Sequence, residues 1–286
     1  MSDFYYFMIE GHEKPFGYVH SSFIAAMMPW SNLWSLNHKK RFLTLHSFPN
    51  DVQSRTNAMQ TTLRSAYNNG TVSYWANELF PIYSSTGGHI LDMDGCGVDP
   101  FGIVSYAVHM IAYVTTKGNE IETRKFWVPR RSKTKMSYPG MLDNTVGGSL
   151  RSGERPIDCI VREAAEEGGV PEEYTREHVK ACGTLSYQMD RTDDGKEGRQ
   201  HQVQYLYEME VPEGFVPKPC DGEVEEFMLM GIEEVVGALR RGEFKLNCGM
   251  TWMSYLVRHG IVDAENEERL VEICARMHRK LDLFVV

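Results

Sequence analysis

The 286-residue sequence has no long apolar run that could cross a membrane. Its longest uninterrupted apolar stretch, Phe23–Trp30, contains a proline and is far shorter than the roughly 20 residues that a membrane-spanning helix needs. The N-terminus carries Asp3 and no basic segment, which argues against a secretory signal or a transit peptide. We therefore expect a cytoplasmic protein that does not enter a membrane.

Close cysteine pairs and an excess of basic charge are also absent. The six cysteines are scattered without a CxxC pair, which disfavours a zinc site and fits reduced thiols in an intracellular protein. The 30 basic residues are outnumbered by 39 acidic ones, giving a formal charge of −9. This balance argues against a nucleic-acid-binding protein.

What the chain does contain is typical of a globular protein, and its length favours two domains. The pattern changes near residue 101, so we predict an N-terminal domain over 1–100 and a second domain over 101–286. Mixed helices and strands without strict βαβ alternation indicate an α+β fold. Helices are predicted at about 51–67 with Asn50 as cap, 232–241 and 265–281, and strands at 72–75, 79–83, 103–115, 125–129 and 201–211, with a turn at Gly118-Asn119.

Three carboxylates of one predicted helix, Glu163, Glu166 and Glu167, share a single face because they lie at positions i, i+3 and i+4. Like charges at this spacing repel, so a half-buried acidic face suggests a compensating cation. Ligands that offer only oxygen select a hard metal ion such as Mg²⁺ or Mn²⁺. The alternative is a solvated acidic face on which Arg162 pairs with Glu166.

The surrounding segment, residues 148–170, fits the pattern G-x5-E-x7-R-E-U-x-E-E-x-G-U at every specified position, where U is an aliphatic residue. This pattern is the Nudix box, and the chain resembles the Nudix hydrolases. The resemblance implies an α/β/α sandwich, joined here to a smaller N-terminal α+β domain. It also implies an enzyme that hydrolyses a small-molecule diphosphate with Mg²⁺ or Mn²⁺, and an Arg162–Glu154 pair that holds the box loop against the helix.

Carried over by position, the resemblance gives roles to the other box residues. Glu166 and Glu167 would bind the metal, and Glu163 would bind it or help to activate water. Gly148 would offer its carbonyl oxygen to the metal. These roles agree with the chemistry, because diphosphate hydrolysis builds negative charge that cations held by carboxylates can neutralise.

Two charged clusters outside the box are further candidates. A basic loop precedes the box in this acidic chain, and its arginines suit bidentate phosphate contacts, although a solvated loop is the alternative. Many Nudix enzymes take another glutamate from outside the box. Glu223, in an acidic cluster that begins at Asp221, is our candidate for this additional metal ligand or base. The basic candidates for substrate binding are Arg130, Arg131, Lys133 and Lys135.

Longer stretches outside the box resemble fungal and plant Nudix proteins related to thiamine pyrophosphokinase. They cover residues 101–114, 126–148, 221–227, 242–249 and 256–266. This resemblance implies that thiamine diphosphate or its oxidised analogues are cleaved to the monophosphate and phosphate.

Departures from the family, such as alanine at position 76 where an arginine is usual, keep two alternatives open. One is an isoprenoid diphosphatase, and the other is a ligand sensor without catalysis, which the complete set of box glutamates disfavours.

His109 is expected to be a packed core residue. The oligomeric state is left open, a homodimer included. Four tryptophans could stack on a flat ring or fill the core: Trp30, Trp34, Trp75 and Trp127.

Overall fold

A computed structural model describes residues 3–27, 32–117, 122–135, 137–191, 198–220 and 222–285. Within these residues, none of the helices is long and apolar enough to cross a membrane. The strands are β1 (Phe4–Ile9), β2 (Gly17–His20), β3 (Trp34–Asn37), β4 (Phe42–Leu45), β5 (Leu79–Tyr83), β6 (His89–Asp94), β7 (Val104–Lys117), β8 (Glu122–Arg131), β9 (Val146–Ser149), β10 (Lys180–Arg191), β11 (Gly198–Glu210) and β12 (Val224–Gly231). The helices are α1 (Ser21–Ala26), α2 (Val52–Asn68), α3 (Val98–Phe101), α4 (Pro156–Gly168), α5 (Glu172–His178), α6 (Ile232–Arg240), α7 (Leu246–Arg258) and α8 (Leu270–Met277), and a 3₁₀ helix spans Gly95–Gly97.

The N-terminal half combines a four-stranded sheet, in the order β2-β1-β4-β3, with helix α2 and the β5-β6 hairpin. Helix α2 is capped by Asp51, whose carboxylate accepts the Ser54 N–H at 2.7 Å. The predicted cap was therefore wrong by one residue, since Asn50 instead accepts a hydrogen bond from Arg55. The predicted strand 72–75 is also wrong, because these residues follow an irregular path to β5.

The C-terminal half is built on a six-stranded mixed sheet in the order β10-β11-β7-β8-β12, with β9 paired to β7. Strand β7 pairs with β11 along one edge. Its other edge pairs first with β9, over Ala107–Met110, and then with β8, over Tyr113–Lys117. Strand β8 therefore separates from β7 before Tyr113, and β9 pairs with β7 in its place over Ala107–Met110. The predicted strands 103–115, 125–129 and 201–211 are confirmed, and the predicted Gly118-Asn119 turn lies outside the described residues.

Alternating residues of β7 face two different helical layers. Val108 and Met110 pack into the core under α4, whereas Ile111 and Tyr113 pack into the core under α6 and α7. The sheet therefore has a helical layer on each face. This confirms the expected α/β/α sandwich with a smaller N-terminal α+β domain, within an α+β fold class.

The helices after the box agree with the sequence only in part. Helix α6 confirms the prediction at 232–241, whereas the predicted helix 265–281 is limited to α8. Its start is delayed because the Asp263 carboxylate accepts the N–H groups of Glu265 and Asn266, which forms a turn. Helix α7 was not predicted, although Trp252 and Tyr255 make it a central part of the core.

The two halves pack closely against each other. A hydrophobic cluster of the N-terminal half extends to Ile103, and a second cluster of the C-terminal half begins at Val104. Tyr18 of β2 stacks on buried His201 of β11, with ring centroids 5.4 Å apart. The division near residue 100 stays a prediction, since these contacts alone do not define a domain boundary.

Candidate active site

Helix α4 has ends that its sequence dictates. Pro156 occupies the first turn, where a missing N–H is tolerated, and Gly169 ends the helix in the left-handed conformation at φ 63°. Ile160 and Ala164 are fully buried against the sheet. This packing orients the neighbouring acidic face toward β9.

Strand β9 lies directly against two carboxylates of that face. A Cβ atom added to Gly148 would lie 2.0 Å from the carboxylate of Glu163, so only glycine leaves room for it. The N–H of Gly147 donates to Oε2 of Glu167 at 2.9 Å. Gly148, Glu163 and Glu167 are therefore close neighbours, an arrangement that the box pattern had suggested.

Arg162 connects the box loop to the acidic face. Its Nε donates to Oε1 of Glu154 at 2.8 Å, and its Nη1 lies 2.8 Å from both Glu163 and Glu166. These contacts include the expected Arg162–Glu154 pair. Glu166 is the most exposed of the three acidic-face carboxylates, with 48% of its side chain accessible.

Glu167 differs from its neighbours because it is half-buried and has no counter-charge among the described residues. Burial raises the pKa of Glu167 well above its usual value, and the nearby carboxylates of Glu163, Asp143 and Glu223 raise it further, against the hydrogen bond from Gly147. Within the described parts of the chain, no cationic side chain pairs with it. Burying an ionised carboxylate in this way is costly, and a divalent cation would offset the cost. The oxygen donors of this face thus fit a hard metal ion such as Mg²⁺ or Mn²⁺.

Glu223 lies close enough to contribute to the electrostatics of Glu167. The alternation of a strand through this acidic cluster would place Glu223 and Glu225 on one face, but within the described residues the structure does not show that strand. Strand β12 begins one residue after Glu223, and its pairing is irregular between Val224 and Glu226. Asp221, the other end of this acidic cluster, lies outside the described residues. The structure therefore brings Glu223 near the box without the strand geometry that its sequence had suggested.

The four basic candidates are all engaged with acidic side chains. The ion pairs join Arg130 to Glu226 at 3.4 Å, Arg131 to Asp143 at 2.5 Å, Lys133 to Glu225 at 3.4 Å and Lys135 to Glu223 at 2.5 Å. None of the four is among the residues that line the cavity described next. Their role in substrate binding stays a prediction.

A cavity of about 160 Å³ adjoins β9. Its walls come from β7, β9, β10 and β11, from the segment before β9, and from the start of α7. Most of its side chains are polar, and amides are prominent among them. The lining residues are Ala107, His109, Ser137, Tyr138, Gly147, Gly148, Ser149, Met189, Gln200, Gln202, Lys245 and Asn247.

The amides of this cavity are oriented by a hydrogen-bond network. Oε1 of Gln202 accepts from the Tyr187 hydroxyl at 2.7 Å and from Nε2 of Gln204 at 3.0 Å. Oε1 of Gln200 accepts from the same hydroxyl at 3.2 Å. Nε2 of Gln202 also donates to Oγ of Ser105 at 3.4 Å. The groups left to donate to a ligand are therefore the second N–H of that amide and the amide nitrogen of Gln200.

Lys245 is the cationic residue of the cavity lining, and it was missed by the sequence analysis. It lies immediately before α7, a helix that the hydrophobic pattern did not reveal. Burial would raise the pKa of Asp143, but Lys245 and Arg131 hold it at about 2. Burial and Lys245 together lower the pKa of His109 to about 4, so its ring is neutral at physiological pH.

His109, Asp143 and Cys248 form a second cluster, with possible ligand atoms within 4.8 Å of one another. Its groups already have hydrogen-bond or ionic partners. The Cys248 thiol donates to Asp143 at 2.7 Å, Asp143 pairs with Arg131, and the His109 ring bonds to the Asn144 amide at 3.0 Å. Burial raises the pKa of that thiol well above its usual value, which disfavours a thiolate ligand. The acidic face of α4 is therefore the better metal site.

The described tryptophans do not line the cavity. Trp34 is buried in the N-terminal core against Phe101, and Trp127 is buried in the C-terminal core. Trp75 stacks under the guanidinium of Arg64 at 3.5 Å. Trp30 lies outside the described residues. Core filling therefore accounts for Trp34 and Trp127.

Two family models match the chain. One is described as the NUDIX domain and matches residues 106–253, and the other is the Domain of unknown function (DUF4743), which matches residues 1–105. The structure adds an α/β/α sandwich in which the acidic face of α4 packs against the glycines of β9. Together with the family matches, this arrangement defines a hydrolase of diphosphate compounds. The chain belongs to the Nudix family.

Its relatives share most of its length. An uncharacterized protein of Saccharomyces cerevisiae is 34% identical over 242 residues, which cover 81% of this chain and 70% of the relative. Nudix hydrolase 20, chloroplastic, of Arabidopsis thaliana is 30% identical over 278 residues, covering 93% of this chain and 71% of the relative. The crystal structure of DR0079 from Deinococcus radiodurans matches with 19% identity and a TM-score of 0.45, covering 64% of this chain and 98% of that one. A cytoplasmic location stays a prediction.

Proposed function

We propose that this Nudix hydrolase cleaves thiamine diphosphate or its oxidised analogues to the monophosphate and phosphate. The observation that carries the proposal is the small polar cavity beside β9, whose wall presents the amides of Gln200, Gln202 and Asn247. Amide groups complement the hydrogen-bonding edge of an aminopyrimidine ring. A buried site of this kind rejects analogues that leave its polar groups unpaired.

The same cavity distinguishes this substrate from a prenyl diphosphate. A prenyl chain needs an apolar wall, whereas Met189 and Ala107 are the apolar side chains among the described lining residues. Burying the amides of the wall against a hydrocarbon chain would cost their hydrogen bonds. The isoprenoid alternative is accordingly not supported by the cavity.

At the other end of the site, the residues of α4 and β9 would hold Mg²⁺ or Mn²⁺. Glu163, Glu166, Glu167 and the carbonyl of Gly148 are the proposed ligands, with Glu223 as an additional ligand or base. When bound, the cation supplies positive charge that offsets the charge developing on the phosphates.

The chain's own residues have separate tasks in this mechanism. Burial raises the pKa of Glu163, against the opposing charges of Arg162 and Arg151. If Glu163 does not bind the cation, this raised pKa makes it a stronger base than an exposed glutamate and suits it to take a proton from the attacking water. Arg162 holds the box loop to the helix through Glu154.

Lys245 is the residue that we propose for contact with a substrate phosphate, because its side chain lines the cavity next to β9. An ammonium group is a suitable point charge for a phosphate oxygen. The basic loop residues remain further candidates, and each would have to exchange its present carboxylate partner for the substrate.

The proposal is tested by measuring phosphate release, with Mg²⁺ present, from thiamine diphosphate, oxythiamine diphosphate, farnesyl diphosphate and ADP-ribose. We expect the highest kcat/KM for a thiamine-type compound and no turnover in excess chelator. A clear preference for farnesyl diphosphate or ADP-ribose would refute the substrate assignment. Absence of turnover with every compound would favour a ligand sensor.

A further inference from the structure

Among the described residues, Glu78 and Leu79 join the N-terminal half to the box loop by hydrogen bonds. Nε of Arg151, in that loop, donates to Oε1 of Glu78 at 3.0 Å, and the next residue, Ser152, donates its N–H to the carbonyl of Leu79 at 2.7 Å. The cavity, in contrast, is lined by described residues from 107 to 247 alone. Through the described residues, the N-terminal half thus reaches the catalytic region at the box loop and not at the cavity wall.

Glu78 is held rigidly on the N-terminal side of this contact. The carboxylate of Asp94, which is buried, accepts the N–H groups of Ala76 at 3.1 Å and Asn77 at 2.9 Å. The carbonyl of Glu78 accepts the N–H of Gly95 at 3.0 Å. Asn77 adopts a left-handed conformation at φ 58°, which bends the chain into β5. These bonds fix the backbone from which the Glu78 side chain extends.

On the other side of the contact, polar bonds continue into the acidic face. The backbone N–H of Arg151 donates to Oε2 of Glu154 at 3.2 Å, and Glu154 pairs with Arg162. Arg162 contacts both Glu163 and Glu166. The Arg151 guanidinium itself pairs with Glu78 on the other side of the loop. Arg151 is therefore a cation near the proposed metal ligands that does not itself bind them.

We propose that Glu78 is a positioning residue that holds the Arg151 guanidinium away from Glu163 and Glu166. It thereby prevents a second arginine, in addition to Arg162, from competing with a divalent cation for these carboxylates. The proposal rests on the metal site of the proposed function. Without Glu78, a half-exposed arginine would be free to turn toward the nearest carboxylates and compete with the metal for them. This gives the domain of unknown function a role in the chemistry of the adjoining Nudix domain.

The test is Mn²⁺ binding to chelator-treated, full-length protein without substrate, followed by calorimetry and electron paramagnetic resonance. Glu78→Gln should weaken Mn²⁺ binding by about fivefold, the scale of a partly exposed ion pair. Arg151→Gln should leave the affinity within about twofold of wild type, and so should the double variant, because both remove the competing charge. Glu13→Gln, which alters an exposed carboxylate of the same half, is the matched control.

Recovery of Mn²⁺ affinity in the double variant distinguishes a positioning role for Glu78 from a purely structural role in the contact between the two halves. If Glu78 only stabilised the domain contact, the double variant would bind Mn²⁺ at least as poorly as Glu78→Gln, and that result would overturn the proposal. Unchanged affinity in Glu78→Gln would overturn it as well. A wild-type protein that binds no Mn²⁺ would refute both this proposal and the metal site, whereas a wrong substrate assignment would leave all these binding results intact.

Discussion

The acidic face of α4 and the amide wall of the cavity both adjoin β9, yet they are assembled differently. The acidic face comes from five consecutive positions, 163–167, of a single helix. The wall combines β10, β11 and the start of α7, which are far apart in the chain. The proposed metal site is therefore encoded locally, whereas the proposed recognition of the substrate would depend on segments that only the fold brings together.

The first test of this difference between the two regions removes a charge from the acidic face. Glu167→Gln should lower kcat by at least about 100-fold, because it preserves the size of the side chain but removes the charge of a half-buried, proposed metal ligand. The KM for the preferred substrate should change little, since the amide wall is intact. Steady-state kinetics over a range of Mg²⁺ concentrations would measure both effects.

A change on the exposed side of the same region provides the control. Glu172→Gln alters an exposed carboxylate in the first turn of α5, just beyond the box, and should retain the wild-type rate. A Glu167→Gln protein with nearly normal turnover and normal metal dependence would show that the acidic face is a solvated surface that holds no catalytic metal ion.

The second test alters the wall and leaves the acidic face unchanged. Gln202→Leu should reduce kcat/KM for the thiamine-type substrate by about 30-fold, because it removes a proposed donor to the ligand and takes from Gln204 its acceptor and from Tyr187 the nearer of its two acceptors. Mn²⁺ affinity should stay at the wild-type value. Gln53→Leu, an exposed change in α2, is the control. Equal losses for ADP-ribose and the thiamine-type compound would contradict a specificity role.

A third variant probes the boundary between the two regions. Lys245→Met keeps the length of the side chain and removes its charge, so we expect kcat/KM to fall by about tenfold through loss of a phosphate contact. Lys133→Met, in the exposed basic loop, is the comparison. A larger loss for Lys133→Met than for Lys245→Met would return phosphate binding to the loop that precedes the box.

These regions also show how far the sequence could predict the structure. The box helix and the long strands β7 and β11 were predicted because periodicity and a short motif are local properties. Helix α7 was missed, and with it Lys245 and Asn247, because its apolar residues pack into a core that only tertiary contacts create. The basic loop was visible as charge, but the acidic partners of its four residues lie in β12 and elsewhere. Such pairing across strands leaves no trace in the spacing of the residues.

The smallest expected effect is the pH dependence of the free energy of unfolding of the metal-free protein. Because burial raises the folded-state pKa of Glu167 above the usual value of 4.5, the folded protein retains a proton that the unfolded chain has already lost. Unfolding free energy should therefore fall as the pH rises from 4.5 through the raised pKa. His109 and His201 have folded-state pKa values that are both lowered to about 4. Their contribution to the free energy of unfolding therefore rises with pH between pH 4 and pH 6.5.

Comparison with Glu167→Gln isolates the contribution of this one carboxylate, since the histidines are common to both proteins. In urea unfolding of chelator-treated protein between pH 5 and 8, the variant should gain stability relative to wild type as the pH rises. Addition of Mg²⁺ should reduce that difference by stabilising the wild-type site. Parallel stability curves for the two proteins would mean that Glu167 is ionised without cost in the folded chain, and the argument for a compensating cation at the acidic face would then lose its electrostatic basis.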